Sequence, residues 1–165
     1  MRTGDAPTTT VRTTPQGSVG FLLWRTTLRW QRSITVALRP LELTHVQFVL
    51  LASVWWLCDQ ADAPHERPSQ REVADHAATD VMMTSQVLRI LEVRGLVSRA
   101  PDPADARVKR LTVTEPGRRL ARRAIAIVEA ADADFFSAVR RPAELLDSLH
   151  QLADESDSRI RHATD

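Results

Sequence analysis

Apolar residues recur at helical spacing through most of the chain. Over residues 17–38 they fall at mixed three- and four-residue steps, which predicts a long amphipathic helix that ends at Pro40. Residues 45–58 are apolar on nearly every side, and Thr44 before them is a suitable N-cap. A helix of that composition belongs in the middle of a hydrophobic core.

Two shorter helices are predicted next. Ser69 and Glu72 have the spacing of a capping box, which starts a helix over residues 70–76. After a short turn, Asp80 can cap a further helix that Gly95 ends by adopting a left-handed conformation. Two helices joined by a turn of this length have the dimensions of a helix-turn-helix.

The period of the pattern changes beyond that glycine. Residues 96–99 and 107–113 are strand-like and enclose a turn-rich segment, so we predict a β-hairpin. Thr114, followed by Glu and Pro, opens a long helix that should reach about Val139, and Pro142 begins a last one. The predicted fold is mainly α-helical with one small β-hairpin.

The helix after Asp80 has two distinct faces. We expect its inward face to pack on the core and its outward face to form one stripe at i, i+3, i+4 and i+7. The inward residues are Val81, Thr84, Leu88 and Leu91, and the outward residues are Met82, Ser85, Gln86 and Arg89. In a major groove, Gln86 can pair with adenine, Arg89 with guanine or a phosphate, and Met82 can touch a thymine methyl. An ordinary solvated helix face is the alternative.

Charge is segregated along the chain although the formal net charge is only +1. Residues 82–123 carry ten Lys or Arg against four acids, whereas residues 124–165 carry four Arg against nine acids. This distribution is expected when only part of a molecule faces phosphate, and a solvated Arg-rich helix face is the alternative.

Four charged residues lie at or beside the predicted hairpin turn: Asp105, Arg107, Lys109 and Arg110. A cation there can extend away from the body, and an arginine can enter a narrow minor groove. We expect Asp105 to orient Arg107 through a charge-assisted hydrogen bond. A merely solvated turn is the alternative.

The chain resembles the multiple-antibiotic-resistance-regulator (MarR) family of winged-helix transcription factors. The resemblance covers nearly everything after Gln16 and rests on residues 43–51, 81–92, 94–97, 102–107 and 111–117. It implies a two-fold dimer built from the first and last two helices, with the recognition helix in the major groove and the wing tip in the minor groove. It also implies a repressor that releases DNA when a small aromatic or phenolic ligand binds between the dimer and DNA-binding parts.

The resemblance assigns roles by position. Arg107 is similar to the family's wing-tip arginine and Asp105 to its supporting aspartate, while Ser85, Gln86 and Arg89 match base- and phosphate-reading residues. Candidates for a ligand cleft are Trp24, Leu28, His45, Phe48 and Trp55. Aromatic core packing and a structural histidine are the alternatives.

The implied organisation is one integrated domain. Residues 17–41 and 115–165 are expected to form a helical dimerisation region, and residues 42–114 the winged helix-turn-helix. Residues 1–16 are rich in Thr and poor in large apolar residues, so we expect a disordered tail. Such a dimer would read a pseudo-palindromic DNA whose half-sites lie about 10 base pairs apart.

Other classes of function find less support. No apolar run approaches the roughly 18 residues of a membrane span, and the N-terminus lacks the apolar core of a secretory signal, so we expect a cytoplasmic protein. Cys58, His65 and His76 match no closed zinc pattern, and no metal or cofactor is expected. We find no nucleophile with a base, phosphate loop or carboxylate pair typical of an enzyme. A structural DNA-binding protein of the same fold, insensitive to ligands, remains the main alternative.

Overall fold

The computed structural model describes residues 17–102, 104–105 and 107–163. The predicted tail over residues 1–16 lies outside this range. The described elements are, in chain order, α1 (Val19–Leu38), α2 (His45–Asp59), α3 (Gln70–His76), α4 (Val81–Val93), β1 (Val97–Pro101), β2 (Lys109–Val113), α5 (Glu115–Phe135) and α6 (Pro142–Ala163). Short 3-10 turns follow α1 and α5 and precede α3. The mainly helical fold with one hairpin is therefore confirmed.

The predicted helix caps are confirmed by hydrogen bonds. The Ser69 hydroxyl accepts from the Glu72 amide at 3.3 Å, and the Glu72 carboxylate accepts from the Ser69 amide at 2.6 Å. Thr44 forms a reciprocal capping box with Gln47 at the start of α2, and the Asp80 side chain caps α4 by accepting from the Met83 amide. Gly95 has a φ of 68° after α4. The end of α5 differs from the prediction: the helix stops at Phe135 and not at about Val139, and a 3-10 turn over Phe136–Ala138 follows it.

Helix α2 lies at the centre of the core, as its composition predicts. It contacts α1, α3, α4, α5 and β2. Leu50, Leu51 and Val54 are completely buried, whereas Trp56 remains 59% exposed on the opposite side. One face of α2 thus anchors the helix-turn-helix and the hairpin, and the other is left open.

The inward face of α4 differs from the prediction at one end. Thr84, Leu88 and Leu91 are completely buried, but Val81 is 45% exposed and Val87 takes its place with 8% exposure. Val81 is the first residue after the cap, where the chain is still entering from the turn. The regular i, i+3, i+4, i+7 stripe therefore begins one turn later, at Thr84.

The hairpin is antiparallel, with Val97 opposite Val113 and Pro101 opposite Lys109. It is offset from the predicted strands by one residue at the start of β1 and by two at the start of β2. On its other edge β2 meets the segment before α3, since the Leu111 amide donates to the Pro68 carbonyl at 2.8 Å. The hairpin is thereby joined to the helix-turn-helix by backbone hydrogen bonding.

No individual helix in the described part of the chain combines the length and hydrophobicity needed to cross a membrane. The segments Val19–Leu41 and His45–Asp59 meet that criterion only as a pair bent by 75°.

Candidate nucleic-acid interface and ligand cavities

The predicted outward stripe of α4 is present as one exposed surface. Met82 is 71% exposed, and Gln86 and Arg89 are exposed on the same face. Ser85 is half-buried, and its carbonyl accepts a 3.5 Å hydrogen bond from Arg99 of β1. The stripe therefore combines a thioether, a hydroxyl, an amide and a guanidinium, which together can donate to, accept from and pack against base edges.

Two arginine contacts fix the position of α4. Arg99 forms an ion pair with Glu92 at 3.2 Å, which ties the C-terminal half of α4 to β1. Arg94, just beyond the helix, donates to the carbonyl of Glu42 at 2.9 Å, next to the start of α2. Because α4 is held from both sides, its exposed stripe faces outward in a defined direction.

The hairpin tip presents cations, and its aspartate forms a hydrogen bond with Arg107. The Asp105 carboxylate accepts from the backbone amide of Arg107 at 3.0 Å, and not from its guanidinium. The predicted charge-assisted hydrogen bond between the two residues is therefore present, and it is made at the backbone donor two residues on, where an aspartate closes a turn most readily. Arg107 and Lys109 are exposed and form no ion pair within the described residues. Their charges are available to a phosphate backbone.

Arg110 was expected to extend away from the body, but it points back into the protein. Its Nε lies 2.5 Å from Asp102 Oδ2, and its Nη1 donates to the Arg67 carbonyl at 3.0 Å and lies 3.4 Å from Glu72. Hydrogen bonds from Arg110 and from backbone amides lower the pKa of the Asp102 carboxyl. Bonds from Ser69, more than the Arg110 charge, lower the pKa of Glu72. Arg110 is therefore paired inside the protein.

The five predicted ligand residues do not converge on one site. His45 lines a cavity of about 420 Å³ between α1, α2 and the α3–α4 turn. Phe48 and Trp55 line a second cavity of about 510 Å³ between α2, the end of α3 and α5. Trp24 and Leu28 border neither of these cavities, and Trp24 is 63% exposed on α1. Val49 borders both cavities, which makes them neighbours along one face of α2.

Sequence reasoning missed Trp30, which joins three helices beside the smaller cavity. Its indole nitrogen donates to Asp132 of α5 at 2.6 Å, and its ring meets the His45 ring edge-on at 5.0 Å. Burial lowers the pKa of His45, while the negative charge of Asp132 opposes that effect. Trp30 shares an i, i+4, i+8 spacing with Ile34 and Leu38, the two buried residues of α1, and that spacing is the signal that could have identified it.

The single cysteine lies apart from these surfaces. Cys58 is half-buried, its sulfur lies 3.5 Å from the Leu111 carbonyl, and burial raises the pKa of its thiol. A raised pKa disfavours the reactive thiolate. No group of three or more metal-ligating side chains occurs among the residues searched, which are the described ones.

Residues 43–109 match the sequence profile described as the MarR family. The uncharacterized HTH-type transcriptional regulator YdcH of Bacillus subtilis (strain 168) is 41% identical over 138 residues, covering 84% of this chain and 91% of YdcH. The HTH-type transcriptional repressor Rv2887 of Mycobacterium tuberculosis is 35% identical over 75% of this chain and 84% of its own length.

Solved structures give the same result. CouR from Rhodococcus jostii RHA1, bound to p-coumaroyl-CoA, superposes with a TM-score of 0.71 at 32% identity and covers 85% of this chain and 94% of CouR. The complex of Rv2887 with p-aminosalicylic acid superposes with a TM-score of 0.62 at 32% identity over 82% of this chain and 98% of that one. The fold is a winged helix-turn-helix, and the chain belongs to the MarR family of HTH-type transcriptional regulators.

Proposed function

We propose that this protein is a homodimeric repressor that reads a pseudo-palindromic DNA with α4 in the major groove and the hairpin tip in the adjacent minor groove. One observation carries the proposal: the exposed stripe of α4 lies beside a hairpin whose Arg107 and Lys109 are exposed and unpaired within the described residues. Gln86 and Arg89 are the proposed base-reading residues, with Met82 and Ser85 beside them. Asp105 shapes the turn that presents Arg107.

The dimer is proposed to form through residues 17–41 and 115–165, with residues 42–114 as the DNA-binding part. Five apolar side chains at the start of α1 are exposed, namely Val19, Phe21, Leu22, Leu23 and Trp24, and Leu146 and Leu149 of α6 are exposed as well. Exposed apolar side chains clustered in this way along a helix are typical of a protein–protein interface. A two-fold dimer sets the spacing of the two recognition helices at about one turn of DNA.

The effector is proposed to be a small aromatic molecule that binds along α2 and causes release of DNA. CouR is bound to p-coumaroyl-CoA and Rv2887 to p-aminosalicylic acid in the structures compared above. The smaller cavity touches Trp30 of the dimerisation region and Ala77 and Thr79 of the helix-turn-helix. A ligand there contacts both parts of the protein at once. We further propose that the protein acts in the cytoplasm and has no catalytic role.

The DNA-binding proposal is tested by selecting duplexes from a random pool with the wild-type protein. The selected duplex should contain a pseudo-palindrome. Arg107→Ala should weaken binding to all sequences and reduce the slope of log K against log salt by about one per subunit. Gln86→Ala should relax the preference at one base pair per half-site, at about 1–3 kcal/mol, and leave the slope unchanged. Arg141→Ala, which removes an exposed cation just before α6 that pairs with Glu144, is the control and should change neither quantity.

Effector release is tested with salicylate and p-coumarate as probes. Each is titrated into the complex of wild-type protein with the selected duplex, and both tryptophan emission and bound DNA are followed. Because Trp30 and Trp55 border the cavities, quenching of emission together with loss of bound DNA is the expected result. Unchanged DNA binding at saturating ligand would favour a structural DNA-binding protein that does not respond to ligands.

A further inference from the structure

Arg110 connects three segments of the DNA-binding part. It lies on β2, one residue beyond Lys109, yet its guanidinium points back to Asp102 at the end of β1, to the Arg67 carbonyl before α3, and to Glu72 in α3. An arginine held by two carboxylates and a carbonyl has most of its donors occupied. Its positive charge is also balanced by two negative charges nearby.

Asp102 connects Arg110 to the tip of the hairpin. It is only 6% exposed, and its two oxygens have separate partners. Oδ2 accepts a hydrogen bond from the Arg110 guanidinium, and Oδ1 accepts from the amides of Ala104 and Asp105 at 2.7 and 3.3 Å. Asp105 in turn closes the turn at the Arg107 amide. A continuous series of hydrogen bonds therefore runs from Arg110 to the exposed wing-tip arginine.

Glu72 connects the same anchor to the helix-turn-helix. Its Oε2 accepts from the Ser69 amide at 2.6 Å, in the capping box of α3, and also lies 3.4 Å from Arg110. Backbone pairing between Ser69 and Arg110 and the hydrogen bond from Leu111 to Pro68 fix the base of the hairpin at this point. The base is thus held by backbone bonds. The tip is closed by backbone bonds from Asp102 to Val108 and from Val108 to Asp105, both at 2.9 Å, and the Arg110 side chain links it to the segment before α3 and to Glu72.

We propose that Arg110 is a positioning residue for DNA binding: it fixes the wing tip relative to the helix-turn-helix so that Arg107 reaches the minor groove, and it does not itself contact DNA. This inference rests on the proposed function. It assigns opposite roles to two arginines three positions apart, one exposed and one paired inside the protein.

One substitution changes DNA affinity in opposite directions under the two explanations, positioning and simple electrostatics. Asp102→Asn removes a negative charge from the DNA-binding surface, and that change alone should tighten binding to a polyanion. The asparagine keeps an oxygen for the amides of Ala104 and Asp105 but no longer holds Arg110 as an ion pair. Positioning therefore predicts weaker binding, by about tenfold, to the duplex selected by the wild-type protein.

A matched control removes the same charge elsewhere in the basic part of the chain. Glu115 pairs with Arg119 at 3.2 Å on the exposed first turn of α5. Glu115→Gln should leave DNA affinity unchanged or slightly increase it. Circular dichroism and thermal unfolding of both variants, with binding measured well below each Tm, ensure that folded protein is compared.

Arg110→Gln in a double-mutant cycle with Arg107→Ala provides the second test. If Arg110 acts through Arg107, its loss weakens binding about tenfold in the wild type but less than about twofold when Arg107 is already alanine. If Arg110 contacts phosphate itself, the two losses multiply and each reduces the salt slope. Tighter or equal binding by Asp102→Asn, or multiplicative losses in the cycle, would overturn the proposal. Failure of the wild-type protein to select any duplex would instead overturn the proposed function.

Discussion

Alanine at Gly117 is expected to destabilise the protein, although the same change usually stabilises a helix. Gly117 is the third residue of α5, and its amide donates to the Thr114 cap at 3.1 Å. A Cβ built there would overlap the Leu96 carbonyl oxygen and lie 3.0 Å from a methyl of Val113. The obstacle is mainly backbone, so a side-chain rotation does not relieve it.

The magnitude follows from three contributions. Replacing Gly by Ala in a helix gains up to about 1 kcal/mol. Clearing the overlap requires the Leu96 carbonyl or the start of α5 to move by about 1 Å, and overpacking of this kind costs about 1–3 kcal/mol. That movement also weakens the 3.1 Å hydrogen bond from the Thr114 amide to the same carbonyl, at about 1 kcal/mol. The net loss is about 1–3 kcal/mol, which lowers Tm by roughly 2–12 °C in a chain of this size.

Gly20 offers the matched control, because it is the second residue of α1 and an added Cβ meets nothing within 4 Å. Gly20→Ala should therefore leave Tm unchanged or raise it by a few degrees, at about 0.5–1 kcal/mol. Urea and thermal unfolding of wild type, Gly20→Ala and Gly117→Ala test the order of stabilities. A Gly117→Ala variant as stable as Gly20→Ala would refute the close approach of α5 to the Leu96 carbonyl.

Two further substitutions test a buried hydroxyl in α4 and the histidine beside Trp30. The hydroxyl of buried Thr84 bonds to the Asp80 carbonyl and to Thr79, each at 2.8 Å. Thr84→Val should therefore lower the free energy of unfolding in urea by about 1–2 kcal/mol, and Thr35→Val, at an exposed position, by less than about 0.5 kcal/mol; equal losses would contradict this. The pKa of His45 is lowered by burial, so the unfolded chain binds the proton more readily. Stability is then full above the ordinary pKa of histidine and falls as the pH drops below it. Unfolding of His45→Gln at pH 7.5 and 5.5 should depend less on pH than that of wild type, and an identical dependence would exclude His45 as the source.

The helix starts were predictable because their signals are local. Ser69 with Glu72, and Asp80 with the amide three residues on, satisfy donors that every helix leaves open, and these bonds depend on no distant residue. The composition of α2 likewise indicated its central place, because a helix that is apolar nearly all round packs most of its surface against other elements, although Trp56 stays 59% exposed. The elements that position the exposed stripe of α4 were therefore available from the sequence.

Long-range partners were not predictable. Arg110 is charged and follows a turn, which favours an exposed position, but its actual partners at Arg67 and Glu72 lie about forty residues away in sequence. Trp30 was missed for a similar reason, because its partner Asp132 is 102 residues distant. Periodicity reports which face of an element is apolar, but not which polar groups from other elements meet it.

The position of α2 gives the proposed effector a route to the DNA-binding surface. Both cavities border α2, and α2 also packs directly against α4. The hydrogen bond from Arg94 to the Glu42 carbonyl also ties the end of α4 to the segment just before α2. Closely packed helices respond to a local displacement by shifting as units. A ligand that displaces α2 must therefore either move α4 with it or break the packing between the two helices, whose buried residues belong to one hydrophobic core, and the first alternative is the less costly.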